Sequence, residues 1–156
     1  MIAAELGVAE GYHSAEMLAN GVEKLYMVDA WTTLSGRGDG ASPQEWHDMN
    51  MNAALARVEK YGDKAVILRG TTFEMAEKVP DNSLGLLYLD ANHTYEGVTA
   101  DLQQWFPKLV NGGVCAGHDY LSFQYGVWQA VHDFFKGKIH TIKETKDEDA
   151  GFWFIK

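Results

Sequence analysis

At the end of an apolar run, "LYLDANHTYEG" (residues 87–97) crowds a carboxylate, an amide and an imidazole together: Asp90, Asn92 and His93. A second such group, His118-Asp119, closes the apolar stretch "GGVCAG". An imidazole titrates near neutral pH, so His93 is a candidate base for taking the proton of a hydroxyl nucleophile. A helix cap or a structural hydrogen bond is its competing role. Asp90, His118 and Asp119 form a candidate ligand set for a divalent cation, which would lower the pKa of a bound hydroxyl. Because His118 supplies nitrogen where magnesium prefers oxygen, manganese or iron suits the set better than magnesium. Without a metal, Asp90, His93, His118 and Asp119 make a polar acceptor pocket.

Groups of this kind need elements to carry them to one place. "IAAELG", "KLYMVDA", "KAVILRG", "SLGLLYLDA" and "GGVCAGHD" are short apolar runs, and helical patterns separate them. Continuous apolar strands with intervening helices predict a parallel, doubly wound sheet with right-handed crossovers. The last two strands, "KIHTIKE" and "GFWFIK", have no helix between them and should pair antiparallel. Pro43 opens a long helix that runs to about Tyr61-Gly62, and Pro107 interrupts "TYEGVTADLQQWFPKLV", expected to be helical over 94–110. The expectation is a Rossmann-like three-layer α/β sandwich, one domain over residues 1–156.

In such sheets ligands bind at the carboxyl ends of the strands. All five of those ends carry a polar group or a glycine: Glu5-Leu6-Gly7, Asp29-Ala30-Trp31, Gly70-Thr71-Thr72, Asp90 to His93, and His118-Asp119. The first turn, "ELGVAEG", has Ala9 where G-x-G-x-x-G has its second glycine, which disfavours a dinucleotide pyrophosphate. Gly7 and Gly11 permit close backbone approach, and Glu5 would repel phosphate and attract an ammonium. Asp29, 18 residues past Gly11, is placed to accept ribose hydroxyls, with a solvated loop acid as the alternative. Trp31 could cover an adenine or serve as a core aromatic. An adenosine that carries an amino acid fits these ends, and S-adenosylmethionine is that molecule.

"AELGVAEGYHS", "YMVDAW", "LYLDANHTYEGVTADLQQWFPKLVNGGVCAGHDY" and "GVWQAVHDFF" resemble the class I S-adenosylmethionine-dependent methyltransferases, in particular the small-molecule O-methyltransferase-like branch of the methyltransferase domain 24 type. The resemblance implies a seven-stranded, mostly parallel sheet whose last strand is antiparallel. It places Glu5, Gly7 and Gly11 at the methionine end and Asp29 at the ribose, with Ser14, Ala30 and Gly70 also among the cofactor-binding residues. Trp31, Thr71 and Thr72 fall by the adenine, and Asp90 beside the transferring methyl. The first strand opens the sequence, so the leading helices that usually close the pocket are expected to be absent. "TTLSGRGDGASPQEWHDM" is then the main candidate cover, and a second subunit could complete the lid as a homodimer. Two functions are open: methyl transfer to a small-molecule hydroxyl with His93 as base, or a non-catalytic adenosyl-binding domain that needs a partner. A nicotinamide oxidoreductase is a third reading, which Ala9 and the closing hairpin oppose.

Composition narrows the partners. The 156 residues carry a formal charge of −9, with 46% hydrophobic and 22% charged residues. An acidic chain lacks the basic face that phosphate backbones and anionic membranes require. The single cysteine, Cys115, excludes an intrachain disulfide, reads as a small buried hydrophobe and fits a reducing compartment. No apolar run reaches membrane-spanning length and no signal peptide is evident, so a cytoplasmic protein is expected. The "RGD" at residues 37–39 reads as chance, and the acidic "KDEDAG" as a solvated turn.

Overall fold

The computed structural model describes residues 1–34, 41–121, 126–136, 141–145 and 150–156. The RGD triplet, the centre of the candidate cover, the acidic stretch 146–149 and residues 138–140 of the expected sixth strand lie outside them.

Strand and helix alternate as the apolar pattern predicts: β1 (Ile2–Leu6), α1 (Tyr12–Ala19), β2 (Lys24–Asp29), α2 (Gln44–Val58), β3 (Ala65–Arg69), α3 (Thr72–Met75), β4 (Leu84–Leu89), α4 (Tyr95–Trp105), β5 (Leu109–Gly117), α5 (Val127–Phe135), β6 (Lys143–Glu144) and β7 (Phe152–Ile155). The seven strands form one sheet in the order β3-β2-β1-β4-β5-β7-β6. β1 to β5 pair in parallel, while β7 runs antiparallel to both β5 and β6.

Side-chain alternation splits the core between the two faces of the sheet. Ala3, Leu25 and Met27 point toward α1 and α2, where they meet Leu18, Ala54 and Val58. Ala4, Leu6, Val28 and Leu87 face the other way and pack with Leu102, Trp105, Val131 and Phe154. Trp105, Phe154 and Leu87 are wholly excluded from water. Cys115 is likewise buried, and burial pushes its thiol well above the ordinary range, so it is an inert core residue.

Two helix boundaries differ from expectation. The helix opened by Pro43 ends at Val58 instead of Tyr61-Gly62, and a 3-10 stretch over Glu59–Lys64, broken at Gly62, leads into β3. α4 stops at Trp105, a 3-10 turn covers Phe106–Lys108, and β5 already begins at Leu109. Pro107 cannot donate to the preceding helical turn, so the chain leaves the helix there and extends earlier. The β4–β5 register shifts between Leu84 and Leu86 to take up the change. At its start, α4 is capped by the Thr94 hydroxyl, which accepts from the Gly97 N–H at 3.1 Å. That cap ends the segment bearing Asp90 and His93 cleanly above the sheet.

Candidate active site at the strand carboxyl ends

β1 and β4 lie side by side, and their turns touch through backbone. Gly7 has φ +85°, and a Cβ there would stand 2.0 Å from the Asp90 carbonyl oxygen. Only glycine allows this approach, which brings the first turn against the end of β4. Gly11, at φ +76°, meets α2 in the same way, with 2.9 Å from an added Cβ to Ala54 Cα. Both glycines therefore serve close packing of protein on protein.

His93 occupies the centre of the cluster at the ends of β4 and β5. Its Nε2 lies 3.0 Å from Asp90 Oδ1 and 3.3 Å from Asp119 Oδ2. The Gly126 N–H donates to the His93 carbonyl at 2.8 Å, which ties this loop to the start of α5. His118 sits one step outward, with Nδ1 3.5 Å from Asp119 Oδ2. Among the described residues, the three groups whose ligand atoms converge, within 4.8 Å of one another, are Asp90, His93 and Asp119. The sequence singled out Asp90, His118 and Asp119 as ligands, whereas the fold brings His93 into the centre. A narrow crevice joins Asp90, His93, His118 and Asp101.

At the methionine end expected from the sequence, Glu5 is nearly completely buried. Its Oε1 contacts His13 Nδ1 at 2.9 Å, and its Oε2 accepts a hydrogen bond from the Ser14 hydroxyl. Burial raises the Glu5 carboxyl above its ordinary value, against the lowering effect of these two partners. The Glu5 hydrogen bond in turn holds the His13 imidazolium above 6.5. The His13 ring rests on Tyr88 of β4, with centroids 4.1 Å apart. Glu5 and Ser14 are thus bonded to each other.

Asp29 is similarly engaged. Its Oδ2 accepts from the Val8 and Ala9 N–H groups, both at 2.9 Å, and its Oδ1 from the Trp31 N–H at 2.8 Å. Trp31 is 1% exposed, and its indole N–H donates to the Ala9 carbonyl at 2.9 Å. Ala30 joins these two residues at the end of β2. Beyond Gly70, the Thr71 hydroxyl caps α3 in a reciprocal box with Glu74. The Thr72 hydroxyl donates to Asp101 Oδ1 at 2.5 Å, and the Trp105 indole donates to the Thr72 carbonyl at 3.0 Å.

Sequence reasoning passed over Asp101, buried on α4, whose carboxyl is pushed up to about 6 by desolvation. Its signal was present: residues 98, 101, 102 and 105 share one helix face, so an acid at 101 falls on the buried stripe. His47 and Asn50, both buried on α2, gave no such signal. Backbone strain also gathers at these ends. Ala9, Trp31 and Asp119 have φ of 46°, 40° and 54°, and Asn82 is the remaining non-glycine residue with positive φ among the described residues. Strain of this kind collects at ligand-binding and catalytic positions.

A five-stranded parallel core extended by an antiparallel β7, with polar groups gathered at the carboxyl ends, is the architecture of the class I S-adenosylmethionine-dependent methyltransferases. Residues 4–120 match the family described as "Methyltransferase domain", and the chain belongs to that family. A curated relative, the uncharacterized protein y4gI of Sinorhizobium fredii (strain NBRC 101917 / NGR234), is 35% identical over 77 residues, which are 48% of this chain and 8% of that protein. Among solved structures, the O-methyltransferase NovP superposes with a TM-score of 0.74 at 19% identity, covering 98% of this chain and 70% of NovP. SMU.1697c from Streptococcus mutans, solved in complex with SAH, gives 0.69 at 11% identity, covering 99% of this chain and 87% of that one. These likenesses are of fold. Among the described residues, no helix is long and apolar enough to cross a membrane.

Proposed function

We propose that this chain binds S-adenosylmethionine over the carboxyl ends of β1, β2 and β4 and transfers its methyl to a hydroxyl of a small molecule. The observation that carries this reading is His93, whose Nε2 lies between the Asp90 and Asp119 carboxylates beside the glycine turn of β1. Methyl transfer is an in-line substitution: an oxygen–carbon bond forms as the sulfonium–carbon bond breaks, and the acceptor proton must leave. His93 takes that proton, and the adjacent carboxylates stabilise the resulting imidazolium. Positioning of the acceptor supplies the remainder of the rate enhancement. The formal charge of −9 favours a neutral or cationic acceptor over a polyanion.

A divalent cation is a second reading. It is favoured by the convergence of Asp90, His93 and Asp119, a mixed oxygen and nitrogen donor set suited to manganese or iron. Bound there, such an ion would polarise the acceptor oxygen.

Isothermal titration with S-adenosylmethionine and S-adenosylhomocysteine tests the common premise, and micromolar binding of either is expected. His93→Ala should leave that binding within about twofold, because the imidazole serves the acceptor side. Failure of both compounds to bind the wild-type chain sinks the reading.

A further inference from the structure

The two edges of the sheet are built differently. At one edge, β6 is two residues long and both are charged, Lys143 and Glu144. At the other, β3 extends over five residues, of which Ala65 to Leu68 are apolar and only the last, Arg69, is charged. Short, charged or proline-bearing edges resist pairing with another chain, and β3 is not protected in this way. Among the described residues it pairs with β2 alone. The Gly70 N–H donates to the Asp29 carbonyl at 2.9 Å, and backbone groups point alternately to the two sides of a strand. Val66 and Leu68 therefore bond β2, whereas the N–H and carbonyl of Ile67 face outward. The Ala65 carbonyl faces outward too, while its N–H bonds back to Gly62.

Side chains along this edge are also only half covered: Ala65, Val66, Ile67 and Leu68 are each partly exposed. Ala65 and Ile67 floor an open groove of about 450 Å³, walled by Leu55 and Val58 of α2. The charge around the groove departs from that of the chain. The whole sequence carries −9, yet residues 59–69 hold three cations (Lys60, Lys64 and Arg69) against two acids (Glu59 and Asp63). Two copies can approach here without setting acid against acid.

We propose that two copies of this chain pair antiparallel through β3, joining their seven-stranded sheets into one. A twofold axis at Ala65, Val66 or Ile67 sets outward-facing residues opposite one another. Of these registers, the one centred on Val66 places Asp63 opposite Arg69 of the second copy, and does so twice. Both residues are exposed, and opposite charges across a strand pair are stabilising. Arg69 donates to the Trp31 carbonyl from one nitrogen, which leaves further guanidinium N–H groups for a carboxylate. The same register sets Ala65 against Ile67 of the second copy, small against large, on the groove side. Each Ile67 N–H then donates to an Ala65 carbonyl across the axis, and the added strand extends the groove floor. The interface lies at the sheet edge and is independent of the cofactor reading.

Sedimentation velocity over a concentration series tests this on the wild type, Asp63→Lys, Arg69→Glu and the double variant. The wild type should pass from monomer to dimer as concentration rises. Each single substitution sets like charges opposite and should weaken association by about tenfold or more. The double variant exchanges the charges and should recover to within about threefold of the wild type. Amide hydrogen exchange reads the edge directly. The Ile67 amide should exchange slowly in the concentrated wild type and fast on dilution, while the Leu68 amide, bonded to β2, stays protected in both and reports an intact fold in each variant. A wild type that sediments as a monomer at every concentration overturns the proposal. So does a dimer that neither single variant weakens, or a double variant with a protected Leu68 amide that fails to reassociate.

Discussion

Glu5 and His13 illustrate how a side chain's meaning depends on its neighbour. Alone, an acid before a glycine turn suggests a partner for a cationic ligand group. In the fold it is the buried counter-ion of His13. The His13 pKa is raised above 6.5, so the folded state binds that proton more tightly than the unfolded chain. Its contribution to stability is complete below 6.5 and disappears as pH rises through the higher folded value. His13→Gln should flatten this part of the melting-temperature profile between pH 6 and pH 9. The effect should be about 0.5 kcal/mol or less, because the imidazole is partly solvated. A profile with the same slope in both proteins would separate His13 from the pH response.

At the scale of elements, α4 fastens the β3–α3 turn. The Trp105 indole and the Asp101 carboxyl, one helical turn apart, bond the Thr72 carbonyl and hydroxyl. Asp101 is held protonated more readily than in the unfolded chain, with a folded pKa of about 6 against 3.8. Between those values the folded state binds the extra proton, so stability falls as pH rises from 3.8 to about 6 and then levels. Asp101→Asn retains an acceptor for Thr72 and avoids burying a charge. It should therefore stabilise the protein by about 1–3 kcal/mol at pH 7.5, with little difference at pH 4. Thermal unfolding at both pH values measures this. A variant less stable at pH 7.5 would show that the ionised carboxylate has a partner that repays its burial.

For the whole molecule, the sheet order 3-2-1-4-5-7-6 puts the switch between β1 and β4, where Gly7 and Asp90 meet. A ligand laid across that junction contacts several elements, so binding should stabilise the complete fold. S-adenosylhomocysteine at a hundred times its dissociation constant should add about 2.7 kcal/mol. For a chain of this length that corresponds to a rise of roughly 5–10 °C in melting temperature. NAD at the same concentration should leave the transition unmoved. A rise with NAD instead would favour a nicotinamide site.

Much of this molecule was legible in one dimension. Apolar runs and helical periods set the five parallel strands, the antiparallel close and the positions of Asp90, His93, His118 and Asp119 at strand ends. These follow from burial and backbone periodicity, which act along the chain and leave their pattern in it. Partner choice is different, because a carboxylate or imidazole can bond whatever the fold brings within about 3 Å. Tertiary structure alone decided that His93 would take the central place, with His118 outside it, and that Asp29 would hold backbone N–H groups. It also turned His47 and Asn50 inward, although a helix with no strong apolar stripe gives little warning of which residues it buries.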